Sequence, residues 1–318
     1  MLTKKYISES FTMKYIKLIS YILIIFLITF HVSCQSIGFR EIPLEILNKK
    51  YANYPSKYLK VNKISVHYRD QGHGPTILAL HGIFDSLHCW DGWVEELSDK
   101  YRIIRFDLPG FGLTGGESMD DFSIDSYVEF INYFVESLDI KRFHVVGNSL
   151  GAHISWNYAV SYPNKVEKLI LLDPPTYNEG SPWPVKMARA PIINLLMKRF
   201  SPRFIVAKNV RSVLGNQSKL SDEMIDRYFE MLLRPGNRSA FVKFCKTFKF
   251  YSENVTKISV PLLLMWGDKD TWAHPTDLKL WKKDLPKAKI IVYKGVGHIP
   301  QVEIPQQTAK DAHQFLQN

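Results

Sequence analysis

Ser149 sits in Gly147-Asn148-Ser149-Leu150-Gly151, between the apolar run Phe143 to Val146 and the helical pattern Ala152 to Val160. A serine at a sharp strand-to-helix turn presents its hydroxyl, and glycines two residues to either side remove Cβ atoms that would clash there. The helix that follows aims its N-terminal dipole and free N–H groups at negative charge forming near Ser149. This is the chemistry of a nucleophile, which needs an imidazole to take its proton and a carboxylate to orient that imidazole. Both lie downstream. Asp270 closes the Gly267-Asp268-Lys269-Asp270 loop after the apolar run Pro261 to Trp266, and His298 ends Gly295-Val296-Gly297-His298 after the run Lys289 to Tyr293. Asp268 and Asp173 are the competing carboxylates.

Attack on a carbonyl also needs donors for the oxyanion. The strand pattern Thr76 to Leu80 leads into His81-Gly82-Ile83-Phe84, and the amides of Ile83 and Leu150 are the expected pair, with Phe84 the less favoured donor. His81 reads as a structural residue of this turn, and Asp107-Leu108-Pro109-Gly110 as a turn bracing it. Asn148 is expected to bond backbone rather than substrate; Trp90 and Trp93 read as packing a helix after the oxyanion loop, and Phe84, Asn148 and, as the alternative reading, Trp90 are the candidate pocket-lining residues. His88, His153 and His274 read as packing or surface residues, because no two stand at ligand spacing with a carboxylate partner. No metal or organic cofactor is implied.

The elements that must position these groups follow a βαβ rhythm. After an opening antiparallel hairpin, Tyr58 to Tyr68, strand patterns recur at Ile77–Leu80, Ile103–Phe106, Phe143–Val146, Leu169–Leu172, Leu262–Trp266 and Ile290–Tyr293, alternating with helical patterns. That predicts an α/β fold, with a mostly parallel sheet covered by helices on both faces. The rhythm breaks once: more than 80 residues of helical periodicity separate Pro175 from Val260. This reads as an insertion after strand 6 that roofs Ser149 and selects substrate.

Taken together, His81-Gly82, Asp107 through Thr114, the Ser149 turn, Gly267 through Asp270 and Gly297-His298 resemble the motifs of the α/β-hydrolase superfamily, in its cap-containing branch. The resemblance covers roughly residues 57 to 316, with Thr114 where many relatives have serine and Ala152 where many have glycine. It implies an eight-stranded sheet flanked by helices and the chain order nucleophile, acid, histidine. The aspartate of related dehalogenases and epoxide hydrolases is replaced by Ser149, which implies an acyl intermediate: a carboxylesterase acting on small or medium apolar acyl esters. A carbon–carbon bond hydrolase of the meta-cleavage-product type is the alternative, followed by a non-catalytic ligand-binding homologue.

The 318 residues, 46% apolar and 13% aromatic, suffice for one α/β domain with an insertion. Lys14 and Lys17 precede the apolar run Leu18 to Phe30, with Cys34 soon after. This reads as an export signal too short for an ordinary spanning helix; lipidation at Cys34, an uncleaved anchor and simple secretion are its three fates, all outside the cytoplasm. Cys89 and Cys245 are expected as buried free thiols, with a disulfide as the alternative. The boundaries expected are 1–34 signal or anchor, 35–55 spacer and first helix, 56–174 and 259–318 the two parts of the core, and 175–258 the helical cap.

Net charge is +10, and eight Lys or Arg fall between Gly180 and Ser221 without an acid. A solvated cap face explains this most simply, with anionic headgroups or an anionic substrate as the sharper reading. No nucleic-acid motif accompanies the charge. The partners expected are a small ester-like substrate and, through the N-terminal segment, a membrane; oligomeric state is left open.

Overall fold

The computed structural model describes Ser20, Tyr21 and residues 37–318 except 117, 118, 120, 178 and 179. Apart from Ser20 and Tyr21, residues 1–34, read as signal or anchor, fall outside the described residues, and so does Cys34, read as a lipidation site. Among those described, no helix is long and apolar enough to cross a membrane.

In chain order the first half runs α1 (Leu44–Tyr51), β1 (Lys57–Val61), β2 (Ile64–Gln71), β3 (Thr76–Leu80), α2 (Asp91–Leu97), β4 (Arg102–Phe106), α3 (Ile124–Ser137), β5 (Phe143–Asn148), α4 (Leu150–Ser161) and β6 (Val166–Leu172). Five helices follow before the next strand: α5 (Trp183–Arg189), α6 (Pro191–Met197), α7 (Arg203–Val213), α8 (Asp222–Leu232) and α9 (Asn237–Thr247). The chain closes with β7 (Leu262–Gly267), α10 (Leu278–Asp284), β8 (Lys289–Tyr293), α11 (Pro300–Glu303) and α12 (Pro305–Gln317).

The strands form one eight-stranded sheet in the order β1-β2-β4-β3-β5-β6-β7-β8. β1 and β2 are antiparallel, as are β2 and β4; every pairing from β4 through β3 to β8 is parallel. Parallel strands covered on both faces must be apolar on both. In β3, Leu78 and Leu80 enter one core while Ile77 and Ala79 enter the other; in β6, Leu169 and Leu171 part from Ile170 and Leu172 in the same way. α3 packs the first face through Tyr127, Ile131, Phe134 and Val135, residues at helical spacing. Its start is fixed by Ser123, whose side chain accepts the Ser126 amide. On the other face, Trp93 of α2 reaches α12, where its indole N–H donates to Thr308 Oγ1 at 2.9 Å.

Residues 38–51 are more than a spacer. Leu47 is buried against Leu113 and Met231, Lys50 and Tyr51 both reach the Glu230 carboxylate of α8, and the Ile42 amide donates to Leu233 O. The segment is fastened to the α5–α9 layer before the chain enters the sheet. Its polar surface gives no periodic signal because few of its residues are buried. Cys89 and Cys245 are both free and buried.

Candidate active site

Parallel strands end on one edge of the sheet, and the crevice beyond their carboxyl ends is where open α/β sheets bind ligands. Ser149 follows β5 there. Its backbone adopts φ 54°, ψ −118°, a strained region that tight packing must hold. Two glycines let the packing close: a Cβ on Gly147 would lie 2.3 Å from Gly151 O, and one on Gly151 would lie 2.3 Å from Leu80 O. The Ser149 amide is fixed by Leu172 O at 2.9 Å.

The loop after β7 brings Asp270, and the loop after β8 brings His298. His298 Nε2 is 2.7 Å from Ser149 Oγ, and His298 Nδ1 is 2.7 Å from Asp270 Oδ2. All three residues are buried. A carboxylate only accepts, so Nδ1–H points to Asp270, and the Nε2 lone pair faces the serine hydroxyl. Asp270 is oriented in turn: its Oδ1 accepts the amides of Trp272 at 2.7 Å and Ala273 at 3.0 Å. The Trp272 ring lies beside the imidazole, with centroids 5.6 Å apart.

The competing carboxylates each hold a backbone amide of their own. Asp268 Oδ1 accepts the Gly295 amide at 2.6 Å. Asp173 Oδ1 accepts the Gly267 amide at 3.0 Å, and burial together with the nearby Asp270 charge raises its carboxyl well above the ordinary range. Asp173 therefore favours its protonated form beside the Asp270–His298 pair.

Gly82 brings the loop after β3 against the serine: a Cβ there would be 3.1 Å from Ser149 Cβ. Leu150 is the first residue of α4, where a helix leaves its N–H without an intrahelical partner. Ile83 lies in the same cleft, and Phe84 takes φ 66°. Two braces hold the loop. His81 Nδ1–H donates to Gly82 O at 2.7 Å while its Nε2 accepts the Leu108 amide at 2.9 Å. Asp107 accepts the amides of Leu87 and Leu113, both at 2.7 Å, and its Oδ2 meets His67 Nδ1 at 2.8 Å. Burial pushes the Asp107 carboxyl up, but the His67 ring and the amide donors outweigh it and hold the group below the usual carboxylate range. The Asn148 amide donates to His298 O and Leu172 O at 2.9 and 3.3 Å, tying the histidine loop to β5 and β6.

A cleft lined by Gly82, Ile83, Ser149 and His298 shares Phe84, Asn209 and Tyr228 with a larger chamber of about 280 Å³. The chamber is walled by apolar residues of α5, α6 and α7, including Met187, Leu196 and Val206. Phe84 and Asn148 are thus at the cleft. Trp90 is not: it is fully buried on the far face of the sheet, edge-on to Trp93 with centroids 5.1 Å apart. The short 3₁₀ turn Leu87–Trp90 carries its ring under α2 and away from Ser149, which corrects its placement as a pocket residue.

The pattern of the alpha/beta hydrolase fold matches residues 75–305. The chain belongs to the α/β-hydrolase family. It is 28% identical to the monoacylglycerol lipase ABHD6 of Bos taurus over 263 residues, 77% of this chain and 76% of that one. It is 29% identical to a 2-hydroxy-6-oxononadienedioate/2-hydroxy-6-oxononatrienedioate hydrolase of Paraburkholderia phymatum, over 78% of this chain and 91% of the relative. Among solved structures, a membrane phospholipase A described as a bacterial virulence factor superposes with a TM-score of 0.70 at 21% identity, covering 94% of this chain and 97% of its own.

This α/β hydrolase carries site residues that spacing alone does not reveal. Glu303, buried in the short α11, accepts the amides of Gly297 at 2.7 Å, Gly215 at 3.1 Å and Asn216 at 2.8 Å. The His298 amide donates to Val213 O at 2.8 Å. The histidine loop and the end of α7 are therefore one hydrogen-bonded unit. Nothing in Pro300-Gln301-Val302-Glu303 marks Glu303 as buried, since an acid near a helix terminus is ordinarily solvated. At the neck between cleft and chamber, the Tyr228 hydroxyl donates to Asp85 Oδ2 at 2.7 Å, and Asn209 Oδ1 has no hydrogen-bond partner among the described residues.

Proposed function

We propose that this hydrolase cleaves carboxylic esters of small to medium apolar acyl chains through an acyl-enzyme on Ser149. The observation that carries the reading is the relay Asp270–His298–Ser149, with two 2.7 Å links, at the foot of an apolar chamber of about 280 Å³. A chamber lined by Met187, Leu196 and Val206 suits an apolar acyl chain rather than a polar one.

Ser149 Oγ attacks the ester carbonyl as its proton passes to His298 Nε2, and the carbonyl π electrons move to oxygen. The amides of Leu150 and Ile83 hold that oxyanion. Collapse breaks the ester C–O bond, and the alcohol leaves with the proton from His298. Water, deprotonated by the same nitrogen, then attacks the acyl carbon, releasing the acid and restoring Ser149. Asp270 keeps the imidazole in the required tautomer throughout.

The similarity to a monoacylglycerol lipase supports an ester substrate. A carbon–carbon bond hydrolase remains the second reading, favoured by the Paraburkholderia relative and by Arg189, which lines a narrow cleft of about 30 Å³ with Ser149 and His298. That guanidinium already donates to Cys245 O and Ser181 Oγ, and the larger space is apolar, so the ester reading is preferred. The N-terminal apolar segment supports a place at the cell envelope.

The test is turnover of p-nitrophenyl esters from acetate to palmitate by the full chain and by Ser149→Ala. Serine-dependent turnover with an optimum near the middle of the series is expected, with a fall in kcat of roughly 10⁵-fold or more in the variant. Retention of more than a tenth of activity would refute the mechanism. Phosphonate labelling of Ser149 without ester turnover would move the assignment to the carbon–carbon reaction.

A further inference from the structure

We infer that the face of the cap formed by α6, the loop at Ser201 and the start of α7 docks on an anionic lipid bilayer, with the apolar chamber opening through it. Three independent observations meet on this face.

The first is an apolar surface at the chamber wall. Ile192 is 75% exposed, Leu195 63% and Phe204 69%. Phe204 also lines the chamber, together with Ser201 and Pro202. A cluster of this kind on a layer with no neighbour outside it marks an interaction surface.

The second is charge. Lys198, Arg199 and Lys208 are exposed on α7 and the loop that joins it to α6, and Lys186 is exposed on the preceding α5, within the stretch that has eight basic residues and no acid. Lys208 Nζ lies 5.6 Å from the centre of the Trp183 ring, which is itself in the chamber wall. Large apolar side chains ringed by Lys and Arg suit the boundary between acyl chains and anionic headgroups.

The third is where the chain comes from. Gly38 O accepts Arg238 Nη1 at 2.7 Å and the Ser201 amide at 3.3 Å, and Arg238 Nη1 also donates to Arg199 O at 2.8 Å. Arg238 thereby pins residue 38 to the rim of the chamber. Phe39 beside it is 63% exposed. The apolar run Leu18 to Phe30 stands only a few residues before this pinned point. A membrane that takes up that run is therefore met by the α6 face and not by the opposite edge of the sheet. The docking is independent of the chemistry; its use as the entry path for an acyl substrate rests on the ester-hydrolase reading.

The test places a genetically encoded environment-sensitive fluorophore at Leu195 of the full chain, and in a second protein at Lys141, which is exposed just ahead of β5 at the opposite edge of the sheet. Each is mixed with vesicles of phosphatidylcholine alone or with added phosphatidylglycerol, with flotation scored in parallel. The expected result is a blue shift and brightening at position 195 with the anionic vesicles, absent at 141, weakened by salt and lost in Lys198→Glu/Arg199→Glu. Unchanged emission at 195 while the protein floats would overturn the proposal. A shift without vesicles that grows with protein concentration would overturn it too, assigning the face to a second copy of the chain. Turnover of soluble p-nitrophenyl butyrate, followed alongside, separates failure of the hydrolase reading from failure of docking.

Discussion

His153, four residues after the proposed nucleophile, offers a test in which the environment of one side chain sets the size of the effect. Its ring is fully buried, edge-on to Trp156, Phe248, Phe250 and Tyr251 with centroids 5.0 to 5.9 Å apart. Neither ring nitrogen has a hydrogen-bond partner among the described residues. Burial pushes its pKa down from 6.5 to about 3. With the folded pKa below the unfolded one, His153 is neutral in both states above 6.5; as pH falls through that value the unfolded chain takes up a proton that the folded chain refuses, and stability is lost down to the folded pKa. Between pH 7 and pH 5 this amounts to about 2 kcal/mol, a figure insensitive to a unit's change in the folded pKa, because both alternatives lie below 5. His153→Phe removes the titration and keeps a ring among rings. The Tm difference between variant and wild type should therefore widen by about 3 °C from pH 7 to pH 5 in thermal melts. The difference is the informative quantity, since Asp173, whose raised pKa favours folding with a proton bound, contributes the opposite slope equally to both proteins. A gap that stays constant with pH would refute the assignment of a neutral, unpartnered imidazole.

Asp270→Asn should lower kcat on the ester substrate by roughly 10⁴-fold by reversing the imidazole tautomer. Asp173→Asn, which preserves an acceptor for the Gly267 amide, should stay within about tenfold of wild type; the reverse ranking would identify Asp173 as the orienting acid. Val206→Trp, which fills the chamber from α7, should cut the ratio of octanoate to acetate turnover roughly tenfold or more, and an unchanged ratio would place the acyl chain elsewhere. Gly147→Ala should cost about 3 kcal/mol in urea unfolding, because its Cβ would meet the Gly151 carbonyl; a loss under about 1 kcal/mol would mean that the turn relaxes freely.

What could be read from residues alone follows from which physical signals are local. The parallel strands have both faces buried, so each shows as a short unbroken apolar run, and their order and connection type follow from the helices between them. Ser149 and the glycines about it stand within five residues, which makes the turn legible; Asp270 and His298 follow the ends of predicted strands, and the fold brings them to the serine. Trp90 stayed open between helix packing and pocket because a tryptophan just after the His81–Phe84 loop suits either, and only the direction of the 3₁₀ turn separates the two. Glu303 and Tyr228 left no trace, since their roles depend on contacts across 87 to 143 residues of chain. The helix within the expected spacer 35–55 is present at Leu44–Tyr51, but its fastening to the cap layer was not legible, because one buried Leu47 and a few long-range polar contacts produce no periodic pattern.

The carboxylate of Glu303 makes the end of α7 and the His298 loop a single mechanical part. It grips Gly215 and Asn216 at the end of α7 and Gly297 beside the imidazole, while the His298 amide holds Val213. A displacement of the α7 end would therefore have to carry the His298 loop with it or break these hydrogen bonds. On the ester-hydrolase reading, passage through the chamber wall at α6 and α7 would leave the His298 loop in place.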